Sequence, residues 1–321
     1  MAEIEITCIT LAELANRTHN KQLIDMVNEV TKTIPVLQDA AFTEANDLTA
    51  HYSSKVVGIP SASLRAANEG VIPTAGQTKQ IVDHICSIED LSEIDEYLVN
   101  KAPDPQTFRF NEDLLHMEGM RQKYGSQFFY GSRVNDIKEI DGLHMRYKSL
   151  SLSNVRNCGG TGSDVSSLWF LGWGGNRVFC AYPLGGGSKI IQRIDKGLEL
   201  VIKNITTGAK LYAYITQFKF DFGLVVRDDR YVQRICNIET SGQANTLDLD
   251  LMIDAYNDLP STDGVVIYCH KKIKSQFDKL AKDKPNVLHT MADPFGKPVL
   301  YFWDIPIKKC DSILDTETAL T

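Results

Sequence analysis

Residues 48–98 constrain the fold of this chain more than any other segment, because they predict strands that have no core of their own. Residues 52–59 and 79–88 have the composition of two extended strands. The polar stretch 60–78 between them contains four glycines or prolines, which forbid a helix, and few large apolar side chains. Because an isolated two-stranded arm is at best marginally stable in water, we expect this arm to be supported elsewhere.

The first 47 residues predict a second arm with short helical pieces. Thr10 and Glu13 have the spacing of a capping box, and apolar residues then follow at three- and four-residue steps from Leu23 to Ile34, until Pro35 ends the pattern. So short a helical stretch cannot bury its apolar stripe alone. It must lie on another part of the fold or on another chain.

The clearest helix is predicted over residues 111–130. Asn111 suits the N-cap and Gly131 suits the C-terminal stop. The helix would be about 28 Å long. Gly119 and Gly125 each weaken it by about 1 kcal/mol relative to alanine, so packing must keep it straight.

Residues 142–240 predict mainly strands. Strict alternation over 212–222 indicates a half-buried, antiparallel strand. The glycine-rich stretch 158–189 predicts an aromatic hairpin, with strands 167–173 and 177–182 that turn at residues 174–176. Mixed α/β structure follows, with a helix stopped by Pro260, a strand, a second helix over 271–283 and two further strands. The fold class predicted from these elements is α+β.

Composition restricts the classes of protein that the chain can belong to. Its 321 residues, 43% hydrophobic and 23% charged, are typical of a folded globular chain. The net charge of −7 disfavours tight, sequence-independent binding of nucleic acid. No apolar run approaches the roughly 18 residues of a membrane span, so we expect no membrane partner. The seven widely spaced cysteines are expected to be reduced and buried.

The glycine-rich stretch does not have the spacing of a phosphate site. A phosphate loop requires GxxxxGK[ST] between a strand and a helix, whereas residues 185–189 read GGGSK and precede a strand-like segment. Residues 158–164, CGGTGSD, lack the third glycine of a dinucleotide fingerprint. We therefore interpret these glycines as turns and bulges between strands, and expect no cofactor-binding residues.

No pattern of catalytic or metal-binding residues is evident either. The seven histidines are scattered without HxH or HxxxH spacing. Asp248 with Asp250, and Asp228 with Asp229, are carboxylate pairs of a kind that can serve acid/base chemistry. The first pair also suits the start of a helix, and the second suits a solvated strand end with arginine counter-charges. We expect no catalytic residues, no metal site and no enzymatic activity.

Four segments in order resemble the major capsid proteins of tailed bacteriophages. FRFNEDLLHMEGMRQKYGSQFFYG resembles the spine helix of the Hong Kong 97-like fold, and GGTGSDVSSLWFLGWGGNRVFCAYP resembles the glycine- and tryptophan-containing hairpin of the epsilon-15-like podovirus group. FKFDFGLVVRDDRYVQRICNIE resembles the strand pair that follows in this group, and GKPVLYFWDIPIKKCDSIL resembles its strand near the C-terminus. The likeness spans nearly the whole chain.

The resemblance implies a division into domains. The implied parts are a 1–47 N-terminal arm, a 48–98 extended E-loop hairpin, a 99–242 P-domain with spine helix 111–130 and a β-rich insertion, a 243–300 α/β A-domain, and a 301–321 C-terminal strand that returns to the P-domain, with the tail.

The resemblance also implies a function. Copies would self-assemble as hexamers and pentamers into an icosahedral virion shell around double-stranded DNA, without sequence-specific binding, in the host cytoplasm. Scaffolding, decoration and portal proteins are possible partners. The alternatives are a non-viral protein compartment of the same fold, which would dock cargo, and a soluble nucleotide-binding enzyme.

Overall fold

The computed structural model of the protein describes residues 9, 11, 14, 17–19, 22–23, 31–185, 191–204, 208–242, 244–283, 290–292 and 298–321. The strands in these ranges are β1 (Thr18–His19), β2 (Gln22–Leu23), β3 (Phe42–Glu44), β4 (Ala50–Gly58), β5 (Gln77–Asp95), β6 (Val155–Asn157), β7 (Val165–Gly172), β8 (Val178–Tyr182), β9 (Gln192–Asn204), β10 (Ala209–Val226), β11 (Val232–Glu239), β12 (Val265–Cys269), β13 (Thr290–Ala292), β14 (Pro298–Phe302) and β15 (Ile305–Lys309). The helices are α1 (Val36–Asp39), α2 (Glu96–Lys101), α3 (Pro105–Tyr130), α4 (Leu143–Arg146), α5 (Leu249–Asn257) and α6 (Lys271–Asp283).

Two large sheets organise the molecule. The first has the order β3-β8-β10-β5-β4, with β9 paired to the outer part of β10. The second has seven strands in the order β13-β14-β15-β12-β7-β11-β6. This second sheet contains strands from both sides of residue 242, where the sequence predicts a boundary between domains.

Helix α3 lies between the two sheets and forms the main core. On one side the Tyr124 ring is 4.6 Å from that of Phe222 on β10. On the other side the Phe128 ring is 5.9 Å from that of Trp173, which follows β7. Helices α5 and α6 cover the opposite face of the seven-stranded sheet in a second core. Because β7 is buried on both faces, its residues 168–171 form a continuous apolar run rather than an alternating one.

Helix α3 begins six residues earlier than the sequence predicts. The Asp104 side chain caps it by accepting hydrogen bonds from the backbone amides of Gln106 and Thr107, and Pro105 occupies the first turn. Proline is favoured there because its missing N–H has no helical partner in any case. Asn111, the predicted N-cap, lies inside the helix; the predicted end before Gly131 is confirmed.

The predicted aromatic hairpin is wrong, although both of its strands exist. Strand β7 pairs with β11 and β12 in one sheet, whereas β8 pairs with β10 and β3 in the other. A single bridge between Trp173 and Val178 joins the two at the turn. Each strand is central in its own sheet, so the chain crosses from one sheet to the other at the turn that the glycines allow.

The predicted two-stranded arm is confirmed. Strands β4 and β5 are antiparallel, from Ala50 opposite His84 to Gly58 opposite Gln77. Strand β5 runs for 19 residues, and its inner part, from Ile85 to Asp95, pairs with β10 instead. The predicted half-buried antiparallel strand over 212–222 is also confirmed, as part of β10.

Candidate assembly surfaces

The outer end of the β4–β5 arm exposes large apolar side chains. Ile59, Leu64 and Ile72 are 88%, 102% and 84% exposed, and Val56 and Val57 beside them are each about two-thirds exposed. All of residues 59–76 are exposed. Contiguous exposed apolar surface of this kind marks an interaction site.

The root of the arm is fixed to the body by charged and aromatic contacts. The Arg146 guanidinium lies 2.7 Å from the buried Asp83 carboxylate on β5. Lys55 on β4 forms an ion pair with Asp229. The His51 ring packs edge-on against Phe179 at 5.4 Å, and burial, followed by the charge of Arg227, lowers the pKa of this histidine. The arm is therefore anchored at its root and free at its tip.

A second projecting hairpin, β9–β10, also exposes an apolar face. Leu198, Leu200 and Ile202 alternate along β9, and Tyr212 on β10 lies opposite Leu200. Its inner end is tied to α3: the Arg193 guanidinium lies 2.7 Å from the fully buried Asp113 carboxylate. Arg109 lies 2.8 Å from Asp195.

The C-terminal tail is locked into the centre of the molecule by a buried ion pair. Arg234 on β11 lies 3.0 Å from Glu317, and the two side chains are 1% and 3% exposed. Glu317 also accepts hydrogen bonds from Ser167 on β7 and from Tyr130 at the end of α3. The pair therefore joins the tail to β7, to β11 and to the end of α3. Sequence reasoning missed it, because 83 residues separate its members and no local pattern marks them.

The segment before β3 is held by strands β12 and β15 of the seven-stranded sheet. The Asp39 carboxylate accepts a hydrogen bond from Tyr268 on β12 at 2.7 Å and pairs with Lys308 on β15. The backbones of Thr33 and Asp311 are also hydrogen-bonded. The helical pattern predicted from Leu23 to Ile34 is wrong where its residues are described, because Leu23 lies in β2 and residues 31–34 are not helical. The residues between them lie outside the described ranges.

The candidate acidic residues lie in structural positions. Asp248 is the N-cap of α5 and accepts a hydrogen bond from the Asp250 amide. Asp228 caps the short turn 229–231, and the hydrogen-bonded Arg230 guanidinium lowers the pKa of its carboxyl. Asp229 accepts a hydrogen bond from Tyr147. Asp248, Asp228 and Asp229 thus serve as caps and hydrogen-bond acceptors.

Cysteines and histidines are likewise dispersed. The six cysteines within the described ranges are free thiols, all buried except the half-buried Cys158. Burial raises the pKa of Cys86 and Cys180 to about 12, so both are protonated at neutral pH. Within the same ranges, no cluster of three or more His, Cys, Asp or Glu residues could hold a metal ion. Residues 186–189 of the GGGSK stretch lie outside them.

No helix among the described residues has both the length and the apolar character of a membrane span.

Comparison with solved structures shows the class of the protein. The chain is similar to a chain in the near-atomic resolution structure of bacteriophage epsilon15, with 31% identity, complete coverage of both chains and a TM-score of 0.76. A chain of the bacteriophage JBD30 capsid matches with 9% identity, 95% and 99% coverage and a TM-score of 0.45. A chain of the holo-SrpI encapsulin complex from Synechococcus elongatus matches with 11% identity, 76% and 100% coverage and a TM-score of 0.44. Of these matches, the first combines 31% identity with complete coverage. Together with the architecture, it defines a phage capsid protein of the Hong Kong 97-like fold, close to the epsilon15 group, as predicted.

The family is shown by sequence. Residues 18–321 match the model of the family Major capsid protein GP7, and the chain belongs to this family. Comparison with curated proteins gives no match. The protein is therefore a tailed-phage capsid shell protein, located in the virion and assembled from copies of itself, and not an enzyme. The alternative of a soluble nucleotide-binding enzyme is wrong, and the family assignment gives no support to a non-viral compartment.

Proposed function

We propose that copies of this chain assemble as hexamers and pentamers into a closed icosahedral shell around double-stranded DNA. Assembly takes place in the host cytoplasm, and scaffolding, decoration and portal proteins are further partners. The predicted domain division at residues 47, 98, 242 and 300 is part of this proposal. In it, the E-loop arm lies over a neighbouring subunit and the A-domain meets its copies at the ring centres.

The observation that carries the proposal is the arm with its exposed apolar tip. Ile59, Leu64 and Ile72 gain little or no burial from their own subunit. Covering such side chains stabilises an interface by roughly 25 cal/mol per Å² of apolar surface removed from water. In a shell made of copies of one chain, the available cover is a neighbouring subunit. Interfaces of this obligate kind commonly bury more than about 2,000 Å².

The charge of the chain supports a container for DNA rather than a DNA-binding protein. With 41 acidic and 34 basic residues, the subunit has a formal charge of −7. A wall of this charge does not neutralise phosphates, and so binds the packaged DNA weakly.

The proposal is tested by shortening the arm. Gly58 and Gln77 face each other at the end of the β4–β5 ladder, so residues 59–76 can be replaced by an Asn-Gly turn that closes the hairpin. We expect the shortened chain to remain folded by circular dichroism and to form no shells by sedimentation and electron microscopy. The unaltered chain should form them.

A milder variant tests whether assembly requires the apolar side chains at the tip of the arm rather than the length of the arm. Ile59→Ser, Leu64→Ser and Ile72→Ser together should reduce shell yield strongly. The matched control, Ser61→Ala with Ser63→Ala in the same loop, should not. Normal shells from the shortened chain would refute the role proposed for the arm. Small uniform particles from the unaltered chain under every condition would refute shell assembly itself.

A further inference from the structure

Helix α5 has an acidic outer face. Asp250, Asp254 and Asp258 follow at four-residue steps, and all three are exposed. Met252 and Ala255, on the opposite side, are buried against the seven-stranded sheet. The helix and its caps, residues 248–258, contain four aspartates and no basic residue. Arg156 pairs with Asp258, whereas no ion pair involves Asp250 or Asp254 among the described residues.

Helix α6 has a basic outer face. It contains five lysines and two aspartates, and Ile273 and Phe277 bury its other side in the same core as α5. Lys271 and Lys279 are exposed. Neither forms an ion pair within the described ranges. Lys272 and Lys274 pair with Asp315 and Asp278.

Both helices have charges that oppose their own dipoles. Asp254 lies in the last turn of α5, where a helix favours positive charge, and no basic residue accompanies it. Lys271 and Lys272 lie in the first turn of α6, where a helix favours negative charge, and no acidic residue accompanies them. The aspartates of α5 also repel one another at four-residue spacing. In the isolated subunit, each helix therefore has charges that its own dipole and its own side chains do not compensate.

We propose that the acidic face of α5 on one subunit binds the basic face of α6 on the next subunit around the ring. The inference rests on the proposed function, because it requires copies that meet side by side. The spacing agrees: Asp250 to Asp258 and Lys271 to Lys279 are each eight residues, about 12 Å along a helix. Because the two faces differ, the contact is head-to-tail, the kind of contact that closes into a ring.

A partly exposed aromatic pair extends the acidic face. Trp303, in the β14–β15 turn, is 43% exposed and has a left-handed backbone with φ of 53°, which is strained for a bulky residue. Its ring lies 4.4 Å from that of Tyr256 at the end of α5, and Tyr256 donates a hydrogen bond to Asp304. An aromatic face beside carboxylates suits a lysine side chain, which packs its stem and places its ammonium against the ring.

The test uses charge reversal on each face separately. One chain carries Asp250→Lys with Asp254→Lys, and the other carries Lys271→Glu with Lys279→Glu. Each alone should yield at least tenfold less hexamer and pentamer than the unaltered chain in sedimentation and native mass spectrometry. Circular dichroism and thermal unfolding show whether both reversed chains fold. The control, Lys138→Glu with Lys148→Glu, reverses two exposed lysines outside these helices and should assemble normally.

Mixing the two reversed chains gives the decisive result. The first chain is basic on both faces and the second is acidic on both, so they can alternate around a ring. We expect the mixture to form hexamers with equal numbers of the two chains and no pentamers, because five subunits cannot alternate.

Hexamers from either reversed chain alone at the yield of the unaltered chain would overturn the inference. So would a mixture that forms no rings from two folded chains. If the unaltered chain itself forms no rings, the proposed function and this inference both fail; if it forms rings and the reversed chains do so equally well, only the inference fails.

Discussion

Arg234 is among the largest side chains that this fold buries completely, and its charge is met inside the protein rather than by water. Its guanidinium contacts Glu317, the Ser167 hydroxyl and the Tyr147 carbonyl, and lies over the Trp169 ring at 4.8 Å. Burying two charges is costly even when they pair, so such a pair adds little net stability. Removing one partner, however, leaves the other charge uncompensated.

Glu317→Ala should therefore lower the free energy of unfolding by about 3–5 kcal/mol, measured by denaturant titration of the unassembled subunit. Replacing both partners, as Arg234→Met with Glu317→Leu, should cost less than Glu317→Ala alone. A loss below about 1 kcal/mol from Glu317→Ala would contradict the view that this pair locks the tail.

His144 gives the same network a dependence on pH. Burial, and then the charge of Arg234, lower the pKa of His144 from its usual 6.5. Below about pH 6.5 the unfolded chain therefore binds a proton that the folded chain does not, and stability falls as the pH drops from there through the folded pKa. The pKa values of His51 and His270 are lowered in the same direction, with burial as the main cause.

The loss of unfolding free energy between about pH 7.5 and pH 5.5 should accordingly be smaller for His144→Gln than for the unaltered chain. Unfolding midpoints in denaturant at the two pH values measure this difference. An equal loss in both proteins would show that His144 is not held neutral by its surroundings.

At the scale of elements, the sequence correctly predicted those features that depend on neighbouring residues in the chain. The alternation of β10 and the helical stop before Gly131 have their causes within a few residues. The start of α3 was missed because Asn111 is also of a type that suits an N-cap, whereas Asp104 caps the helix and Pro105 occupies the first turn. The prediction of an aromatic hairpin was wrong for another reason. Partners of β7 and β8 lie far along the chain, and a continuous apolar run does not say which sheet it joins.

The two glycines of α3 also differ in a way that sequence does not reveal. A Cβ on Gly119 would meet no atom within 4 Å, whereas on Gly125 it would lie 2.1 Å from Ser312 Oγ and 3.2 Å from Ile34 Cδ1. Gly119 is thus exposed, and Gly125 is the point where the tail crosses the helix closely.

Gly119→Ala should raise the free energy of unfolding by about 0.5–1 kcal/mol, because alanine favours the helix. Gly125→Ala should lower it by about 1–3 kcal/mol through overpacking. Adding Ser312→Gly to Gly125→Ala should recover part of the loss, since it removes the clashing side chain. Stability is measured by thermal unfolding. If Gly119→Ala and Gly125→Ala change it equally, the proposed difference between the two glycines is contradicted.

For the whole molecule, stability is expected to be uneven before assembly. The outer part of β5 pairs only with β4, whereas β7 has partners on both sides and is buried on both faces. Regions with few buried contacts open at low free-energy cost. Under the proposed function, a neighbouring subunit that covers the arm adds contacts and raises this cost.

Amide hydrogen exchange should show this difference. In the unassembled subunit, amides of residues 50–58 and 77–84 should exchange much faster than those of β7. In shells the arm amides should slow by at least about tenfold, equivalent to roughly 1.4 kcal/mol of added protection. Unchanged exchange in the arm, with intact shells, would show that no neighbour covers it.

Strand β5 has a mechanical consequence, because one uninterrupted backbone serves both the arm and the body. Eleven of its residues are in register with β10, from Ile85 opposite Gly223 to Asp95 opposite Ala213. A pull on the arm along the strand loads these hydrogen bonds together, in shear, rather than peeling them apart one after another. Tension applied to the arm in an assembled shell would thus be shared among these eleven positions rather than borne by one hydrogen bond at a time.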